Sequence, residues 1–214
     1  MIGQQYNSKP CGSFGDLSTF SFYPNKHITT GEGGMVTTSD SELADKVRCL
    51  RDHGATMSDL QRHLGAKPYL LADHPEAGYN QRMTDIQGAL GSAQMDRAAE
   101  IVSERQRLAR IYDKAFADLA WLRTPKCPEG YQHGYQSYPC MFRPDDLSLN
   151  NIKAVNTARN IWMEALQQVG ISTRPATHAV HMLSYYKNKY DICSTDFPNA
   201  YISNECSISL PLFH

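Results

Sequence analysis

The twenty residues from Gly15 to Gly34 constrain the fold more than any other segment of the chain. An aromatic, β-rich run over 17–24, which ends at Pro24, predicts a short buried strand that leads into a loop. Lys26 follows this strand, and a glycine-rich turn begins five residues after the lysine. Because glycine adopts backbone conformations that are closed to other residues, the turn can bring a second strand, over 35–38, close behind the first.

Hydrophobic periodicity and turn signals divide the rest of the chain into helices and strands. Helices are predicted over 41–52, from residue 84 onward, over 98–119, over 152–169 and near 198–205. Further strands are predicted over 136–142 and over 171–174, and the chain ends on a mostly apolar segment, 208–213. The stretch 55–80 contains scattered glycines and prolines and is predicted to be a long, mostly irregular connection. This order of elements favours an α/β or α+β class.

Composition and charge exclude several classes of function. The 214 residues include 21 basic and 22 acidic side chains, and a net charge of −1 gives no reason to expect nucleic acid or an anionic membrane as partner. No apolar run approaches the ~18–20 residues that span a bilayer. The first residues resemble no signal peptide, so the expected compartment is the cytosol. The six cysteines lack CxxC spacing; we expect free thiols and no metal site.

Lys26 is the candidate for chemistry in the 15–34 segment. A partly desolvated lysine amine held near polar or cationic groups is a nucleophile that forms Schiff bases with carbonyl compounds. The segment has a Ser-Phe pair, a lysine five residues after that serine, and then Gly-Glu-Gly-Gly before a strand. This pattern resembles the Schiff-base lysine region of the DegT/DnrJ/EryC1/StrS sugar aminotransferases. Similar segments at 48–54, 78–87, 170–174 and 209–212 extend the resemblance over nearly the whole chain.

The resemblance implies an α/β fold of the fold-type I class, which depends on pyridoxal 5'-phosphate (PLP). Residues 1–97 would be the back portion of a large PLP-binding domain with a mainly parallel sheet, and 98–120 a long connecting helix. Residues 121–214 would be a small, incomplete α+β C-terminal domain. Because family members are longer, the chain is expected to be an internal fragment that lacks the amino-terminal part and the last helix. The family's aspartate that pairs with the pyridine nitrogen would fall just before Met1.

Roles for single residues follow from the same resemblance. Lys26 would form the internal aldimine with PLP and then move a proton between the substrate and cofactor carbons. Ser21 would hydrogen-bond the cofactor phosphate, and Asn80 would reach that phosphate from the neighbouring subunit of a homodimer. Arg82 would meet a substrate carboxylate, which suits its guanidinium fork, and His181 would lie near the mouth of the site.

Each of these four supporting residues also has a purely structural interpretation. Ser21 would satisfy backbone groups in a buried strand, and Asn80 would be a turn residue. Arg82 would belong to a surface ion pair, and His181 would be a structural histidine with its hydrogen bonds satisfied.

The implied activity is the transfer of an amino group from an amino-acid donor, usually glutamate, to C3 or C4 of a keto-sugar nucleotide. The family also has a dehydratase branch, in which histidine replaces the lysine, and Lys26 argues against it. The alternative from a different class is a truncated, non-catalytic fragment with the same fold, or a dimerisation module. We expect the 214 residues alone to be nearly inactive, because the implied partner of the pyridine nitrogen is not among them.

Overall fold

The computed structural model describes residues 2–65, 67, 69–143 and 147–213. It divides into two compact units, Met1–Val102 with Gly130–Gly134, and Ser103–Glu129 with Tyr135–His214. The boundary between the two units falls inside the long helix over 98–120, which the resemblance implied to be a separate connecting element. A short segment near residue 130 belongs to the first unit. This segment belongs there because Tyr131 pairs with Tyr6, and because the Asn7 N–H donates to the Gly130 carbonyl at 2.7 Å.

Short antiparallel pairs form the sheets of the first unit. Its strands are β1 Gln5–Tyr6, β2 Lys9–Pro10, β3 Ser18–Ser21, β4 Gly34–Thr37 and β6 Tyr131–Gln132; β5 Leu122–Arg123 belongs to the other unit. One sheet has the order β2-β1-β6, and β3 and β4 form a hairpin in which Ser21 lies opposite Gly34. The two strands predicted around Lys26 are therefore present. The first is shorter than predicted because the chain leaves the ladder after Ser21 and enters the loop that contains Lys26.

The helices of the first unit begin where side chains cap them. They are α1 Ser41–Arg51, α2 Asp59–Leu64, α3 Asp85–Asp96 and α4 Ala98–Ala115, of which α4 continues into the second unit. Asp40 caps α1 by accepting hydrogen bonds from the backbone amides of Glu42 and Leu43. Helix α2 lies within the 55–80 connection, which is therefore less irregular than predicted. Ser58 and Gln61 start this helix with a capping box that the sequence analysis missed.

The hydrophobic core of the first unit is small and lies at the loop that carries Lys26. Its buried members are Phe22, Ile28, Ala98 and Ile101. No residue of α1 or α3 is buried. Since Phe22 and Ile28 flank Lys26 in the chain, the lysine is attached to the best-packed part of the unit.

The second unit is an antiparallel sheet covered by helices. Its strands are β5 Leu122–Arg123, β7 Tyr138–Phe142 and β8 Ser207–Leu210, in the order β5-β7-β8. Its helices are α5 Ile152–Gln168, α6 Ser184–Tyr190 and α7 Pro198–Cys206, with a 3-10 turn at Val180–Met182. Tyr138 and Ile208 are completely buried in its core. None of the helices in the described ranges is both long and apolar enough to cross a membrane.

Two expectations about strands differ from the structure. The strand predicted over 171–174 is wrong, because this segment meets β8 only through an isolated bridge between Arg174 and Ser209. Gly170, with φ +82°, and Pro175, which lacks an N–H, flank the segment and prevent a longer ladder. The resemblance also implied a mainly parallel sheet, yet every strand pair in the described ranges is antiparallel. The loop between β3 and β4 is a hairpin connection, which can only join antiparallel neighbours.

Candidate functional site

Lys26 lies in a loop, residues 22–33, that backbone hydrogen bonds close at its base. The Phe22 N–H donates to the Gly33 carbonyl at 2.9 Å, and the Thr30 N–H donates to the Phe22 carbonyl at 3.0 Å. The Thr29 hydroxyl donates to the same Phe22 carbonyl at 2.9 Å. The loop is therefore an ordered extension of the β3–β4 hairpin with both ends fixed.

Two buried side chains fix the loop immediately after Lys26. Ile28 is only 1% exposed and packs in the small core, and His27 is 5% exposed. Nε2 of His27 lies 2.6 Å from the carbonyl oxygen of Gly134. Because a carbonyl oxygen only accepts, Nε2 carries the proton and donates it. No pattern in the sequence indicates this structural role of His27, because its partner lies 107 residues away in the chain.

Lys26 and Ser21 supply an amine and a hydroxyl from the same end of the hairpin. Lys26 is half-buried, and within the described residues its amine makes no ion pair and no hydrogen bond. Ser21 is the last residue of β3 and is exposed; its oxygen accepts the Tyr23 N–H at 3.3 Å. That contact leaves the hydroxyl proton of Ser21 for an acceptor such as a phosphate oxygen.

Asn80 and Arg82 form a second group of site residues, beside Asp52. Nη1 of Arg82 donates to Oδ1 of Asp52 at 3.2 Å, and Nε of Arg82 donates to Oδ1 of Asn80 at 3.2 Å. The ion pair that was the structural alternative for Arg82 is therefore present, with Asp52 as the partner that the sequence analysis missed. The Arg82 side chain is 42% exposed, and its remaining N–H groups are open to a second anion.

A close approach of two backbones holds this second group. The Tyr79 N–H donates to the Leu50 carbonyl at 2.6 Å, and the Gln81 N–H donates to the Arg51 carbonyl at 2.8 Å. Both segments need glycine here. A Cβ at Gly78 would lie 2.0 Å from the nitrogen of Gly54, and a Cβ at Gly54 would lie 1.9 Å from the carbonyl oxygen of Glu76. The similar segments at 48–54 and 78–87, which are separate in the sequence, therefore form one structural feature.

His181 lies in the second unit, on the 3-10 turn Val180–Met182, and is buried. Its ring packs on Phe197 with the ring centroids 5.1 Å apart. In the described part of the chain its Nε2 is buried without a hydrogen-bond partner, which favours a partner from a ligand or another chain. The pKa of Asp196 lies below its usual value, mainly because Asp196 accepts the Cys193 N–H at 2.8 Å, with the charge of His181 a smaller cause.

The five residues predicted from the sequence thus fall into three groups. Ser21 and Lys26 share one end of the hairpin, Asn80 and Arg82 share a hydrogen bond, and His181 stands in the other unit. Within the described residues no hydrogen bond or ion pair joins the first group to the second.

Solved structures with the same fold are sugar aminotransferases. The PLP form of Spr1654 from Streptococcus pneumoniae, described as a sugar aminotransferase, superposes with a TM-score of 0.80 and 26% identity, over 100% of this chain and 50% of that chain. PseC of Helicobacter pylori, an aminotransferase involved in the biosynthesis of pseudoaminic acid, has a TM-score of 0.79 and 26% identity, over 97% of this chain and 51% of that chain. The fold is that of the PLP-dependent sugar aminotransferases.

Sequence comparisons identify the family. The model of the DegT/DnrJ/EryC1/StrS aminotransferase family matches residues 1–214. GDP-perosamine synthase of Caulobacter vibrioides is 36% identical over 186 residues, which cover 86% of this chain and 45% of that protein. The spore coat polysaccharide biosynthesis protein SpsC of Bacillus subtilis is 34% identical over 209 residues, which cover 97% of this chain and 51% of that protein. The chain belongs to the DegT/DnrJ/EryC1/StrS family of PLP-dependent aminotransferases, and it spans about half the length of the curated relatives it matches.

The residues around Lys26 fit PLP. The cofactor needs an amine for its aldehyde and hydrogen-bond donors for its phosphate. Lys26 offers a half-buried amine on a fixed loop without a carboxylate partner in the described ranges, and Ser21 offers a hydroxyl donor.

Proposed function

We propose that this chain is the lysine-bearing part of a nucleotide-sugar aminotransferase. The reaction moves an amino group from an amino-acid donor, with glutamate as the first candidate, to C3 or C4 of a keto-sugar nucleotide. The observation that carries the proposal is the setting of Lys26, a half-buried amine with no acidic partner in the described residues. The loop that holds it directly follows Ser21, whose hydroxyl can act as a donor. The likeness to GDP-perosamine synthase and to PseC supports a nucleotide-linked sugar as the acceptor.

The residues of this chain would divide the work among them. PLP, when bound, supplies an aldehyde that condenses with amines and a ring that withdraws electrons. Lys26 would hold the cofactor covalently and, once released, move the proton at the reacting carbon. Ser21 would donate its hydroxyl to the phosphate, which fixes the distance between cofactor and lysine.

Arg82 and Asn80 would bind anions from the side of the Gly54–Gly78 backbone contact. The exposed N–H groups of Arg82 that Asp52 and Asn80 leave open would bind the donor carboxylate. The Asn80 amide nitrogen would donate to the cofactor phosphate of the partner subunit, so that two copies of the protein complete each other's sites. His181, with its unsatisfied Nε2, would contribute a hydrogen bond to the substrate at the mouth of the site.

The proposal is tested on the protein encoded by the full reading frame that contains this chain. The protein is incubated with PLP and reduced with borohydride, which fixes the cofactor on the amine to which it is bonded, and the modified lysine is mapped by mass spectrometry. We expect modification at Lys26. The variant Lys26→Ala should lose it together with transamination of keto-sugar nucleotides, whereas Lys9→Ala, which alters an exposed lysine of the same unit, should retain both.

Two outcomes would overturn the proposal. The first is covalent PLP on a lysine other than Lys26 in the wild-type protein. The second is undiminished transamination in the Lys26→Ala variant. If neither outcome is observed, a panel of keto-sugar nucleotides and amino-acid donors, given to the wild-type protein, would identify both substrates.

A further inference from the structure

We propose that one face of α3, formed by Gln87, Gly91 and Gln94, is the positioning element for Lys26. These residues recur at the i, i+4, i+7 spacing of a helix face, and all three lie against the 22–33 loop. The inference rests on the proposed role of Lys26 as the amine that binds PLP. It assigns to α3 a function that is separate from its apolar residues Ile86 and Leu90, both of which are exposed.

Gln87 links the start of α3 to the glycine-rich end of the loop. Its Oε1 accepts the N–H and the hydroxyl of Thr84, both at 3.0 Å, as in a capping box. Its Nε2 donates to the Glu32 carbonyl at 2.8 Å. One side chain therefore caps the helix and, through its other end, holds the loop.

Gln94 holds the loop nearer to the lysine, and with the opposite hydrogen-bonding role. Its Oε1 accepts the Thr29 N–H at 2.9 Å, whereas Gln87 acts on the loop as a donor. Thr29 is three residues after Lys26, and its hydroxyl donates to the Phe22 carbonyl at the base of the loop. These two hydrogen bonds of Thr29 therefore restrain the short segment that carries the lysine.

Gly91 permits the close approach of the helix between these two contacts. A Cβ at this position would lie 3.0 Å from Cγ2 of Thr30, which is tighter than ordinary van der Waals contact. At Gly88, on the same helix, a Cβ would meet nothing within 4 Å. Of these two glycines, only Gly91 would bring an added Cβ into tight contact with the loop.

These contacts fix the backbone position from which the Lys26 side chain extends, and this matters for the chemistry. Catalytic groups must be held within a fraction of an ångström by neighbours whose own conformations are locked. Lys26 has its backbone restrained by His27 and Ile28 on one side and by α3 on the other, while its amine remains without a partner in the described residues. Gln87 and Gln94 are therefore positioning residues, since they act through the loop.

The same substitution at the two glutamines provides a matched test, made in the protein from the full reading frame. Gln87→Glu keeps the oxygen that caps α3 but removes the donor to Glu32. Gln94→Glu keeps the oxygen that accepts from Thr29, and Gln94→Leu removes it. Both glutamate variants add one negative charge to the same helix face, Gln87→Glu in the first turn and Gln94→Glu in the last. Because the helix dipole favours a negative charge at the start of a helix and disfavours one at its end, an effect of charge alone would make Gln94→Glu the more harmful variant.

Two measurements follow the loop and the lysine separately. Hydrogen exchange of backbone amides over residues 26–33 reports the loop without any cofactor. The rate at which PLP becomes covalently attached to Lys26, compared with the Kd of non-covalent PLP in a Lys26→Ala background, reports the position of the amine.

We expect faster loop exchange and slower attachment in Gln87→Glu and Gln94→Leu, each by about tenfold, which corresponds to ~1.4 kcal/mol. The non-covalent Kd should be unchanged, and Gln94→Glu should behave as wild type. Gly91→Ala should slow attachment, and Gly88→Ala should not.

Three results would overturn the inference. Unchanged exchange in Gln87→Glu would show that α3 does not hold the loop. Faster exchange with an unchanged rate of attachment would show a contact that is only structural, and an effect of Gln94→Glu at least as large as that of Gln87→Glu would show an effect of charge. If instead wild-type protein bonds PLP at another lysine, the proposed function fails, and the exchange data then stand as evidence on the loop alone.

Discussion

Asp52 changes the interpretation of Arg82, because it holds the guanidinium group in place. It pairs with Arg82 at 3.2 Å and is the more buried partner, at 18% against 42% side-chain exposure. Such a pair contributes little to stability, because solvent screens it and long side chains lose entropy in forming it. Its effect on geometry is larger: with Nε on Asn80 and Nη1 on Asp52, the Arg82 fork has one orientation for a carboxylate.

Replacing Asp52 with alanine should therefore weaken binding of the amino donor. We expect the donor KM to rise about two- to fivefold, as the loss of up to ~1 kcal/mol predicts, with little change in kcat or in the KM of the keto-sugar. Steady-state kinetics with each substrate varied in turn would measure this. Asp45→Ala removes an exposed pair with Arg48 on the same helix and is the matched control. Equal kinetic changes in the two variants would contradict the assignment.

At this scale the sequence indicates candidate reactive groups but not the contacts that hold them. Lys26 and Ser21 belong to one local pattern, so both could be found and placed on one turn. Asp52 and His27 could not, because their partners are 30 and 107 residues away in the chain. A motif identifies candidates for reactive residues, whereas the residues that hold them are fixed by the tertiary fold.

The contact between the end of α1 and the segment 78–81 is the element that places Asn80 and Arg82. It is an isolated antiparallel bridge, Asp52 with Asn80, supported by the flanking backbone hydrogen bonds. Its glycines differ in what they require. Gly54 has φ +74° and a Cβ there would lie 1.9 Å from the Glu76 carbonyl, whereas Gly78 is constrained by space alone.

Gly78→Ala should consequently separate these backbones. We expect the free energy of unfolding to fall by about 1–3 kcal/mol, the usual range for forced overpacking, and the donor KM to rise because Arg82 moves away from Asp52. Denaturant unfolding and kinetics would measure the two effects. Gly88→Ala, in open space on α3, should instead leave the KM unchanged and raise stability by up to ~1 kcal/mol. A Gly78→Ala variant as stable as wild type would contradict the close contact.

Helix α3 also shows that hydrophobic periodicity can predict a helix and yet not predict which of its faces makes contacts. The sequence predicted the helix and its start at Thr84 correctly, because capping and periodicity are local. The i, i+4, i+7 spacing of Ile86, Leu90 and Ala93 indicates an apolar stripe, yet Ile86 is 84% exposed. The 22–33 loop is instead contacted by Gln87 and Gln94. Periodicity reveals which residues share a face but does not reveal what that face contacts.

Over the whole molecule, the two units differ in what their cores contain. The first unit buries few apolar side chains, whereas the core of the second includes two weakly acidic groups, the Tyr138 hydroxyl and the Cys140 thiol. Burial raises the pKa of Cys140 from its ordinary 9.0 to about 12. Burial also raises the pKa of Tyr138, and its 2.5 Å hydrogen bond to Asp113 adds to this shift.

These shifts predict that the second unit loses stability in alkali. Both groups are neutral acids whose folded pKa exceeds the unfolded one, so their contribution is fully present below pH 9 and is lost as pH rises towards 12. In that range the unfolded chain releases protons that the folded unit retains. Hydrogen exchange, corrected for the intrinsic pH dependence, should therefore accelerate in β7 and β8 more than in β3 and β4.

The variant Cys140→Ala tests whether the buried thiol causes this loss. Cys140→Ser would not, because a buried hydroxyl needs a new hydrogen-bond partner. If Cys140→Ala left the alkaline loss unchanged and β3–β4 opened first, the cause would lie outside this buried pair.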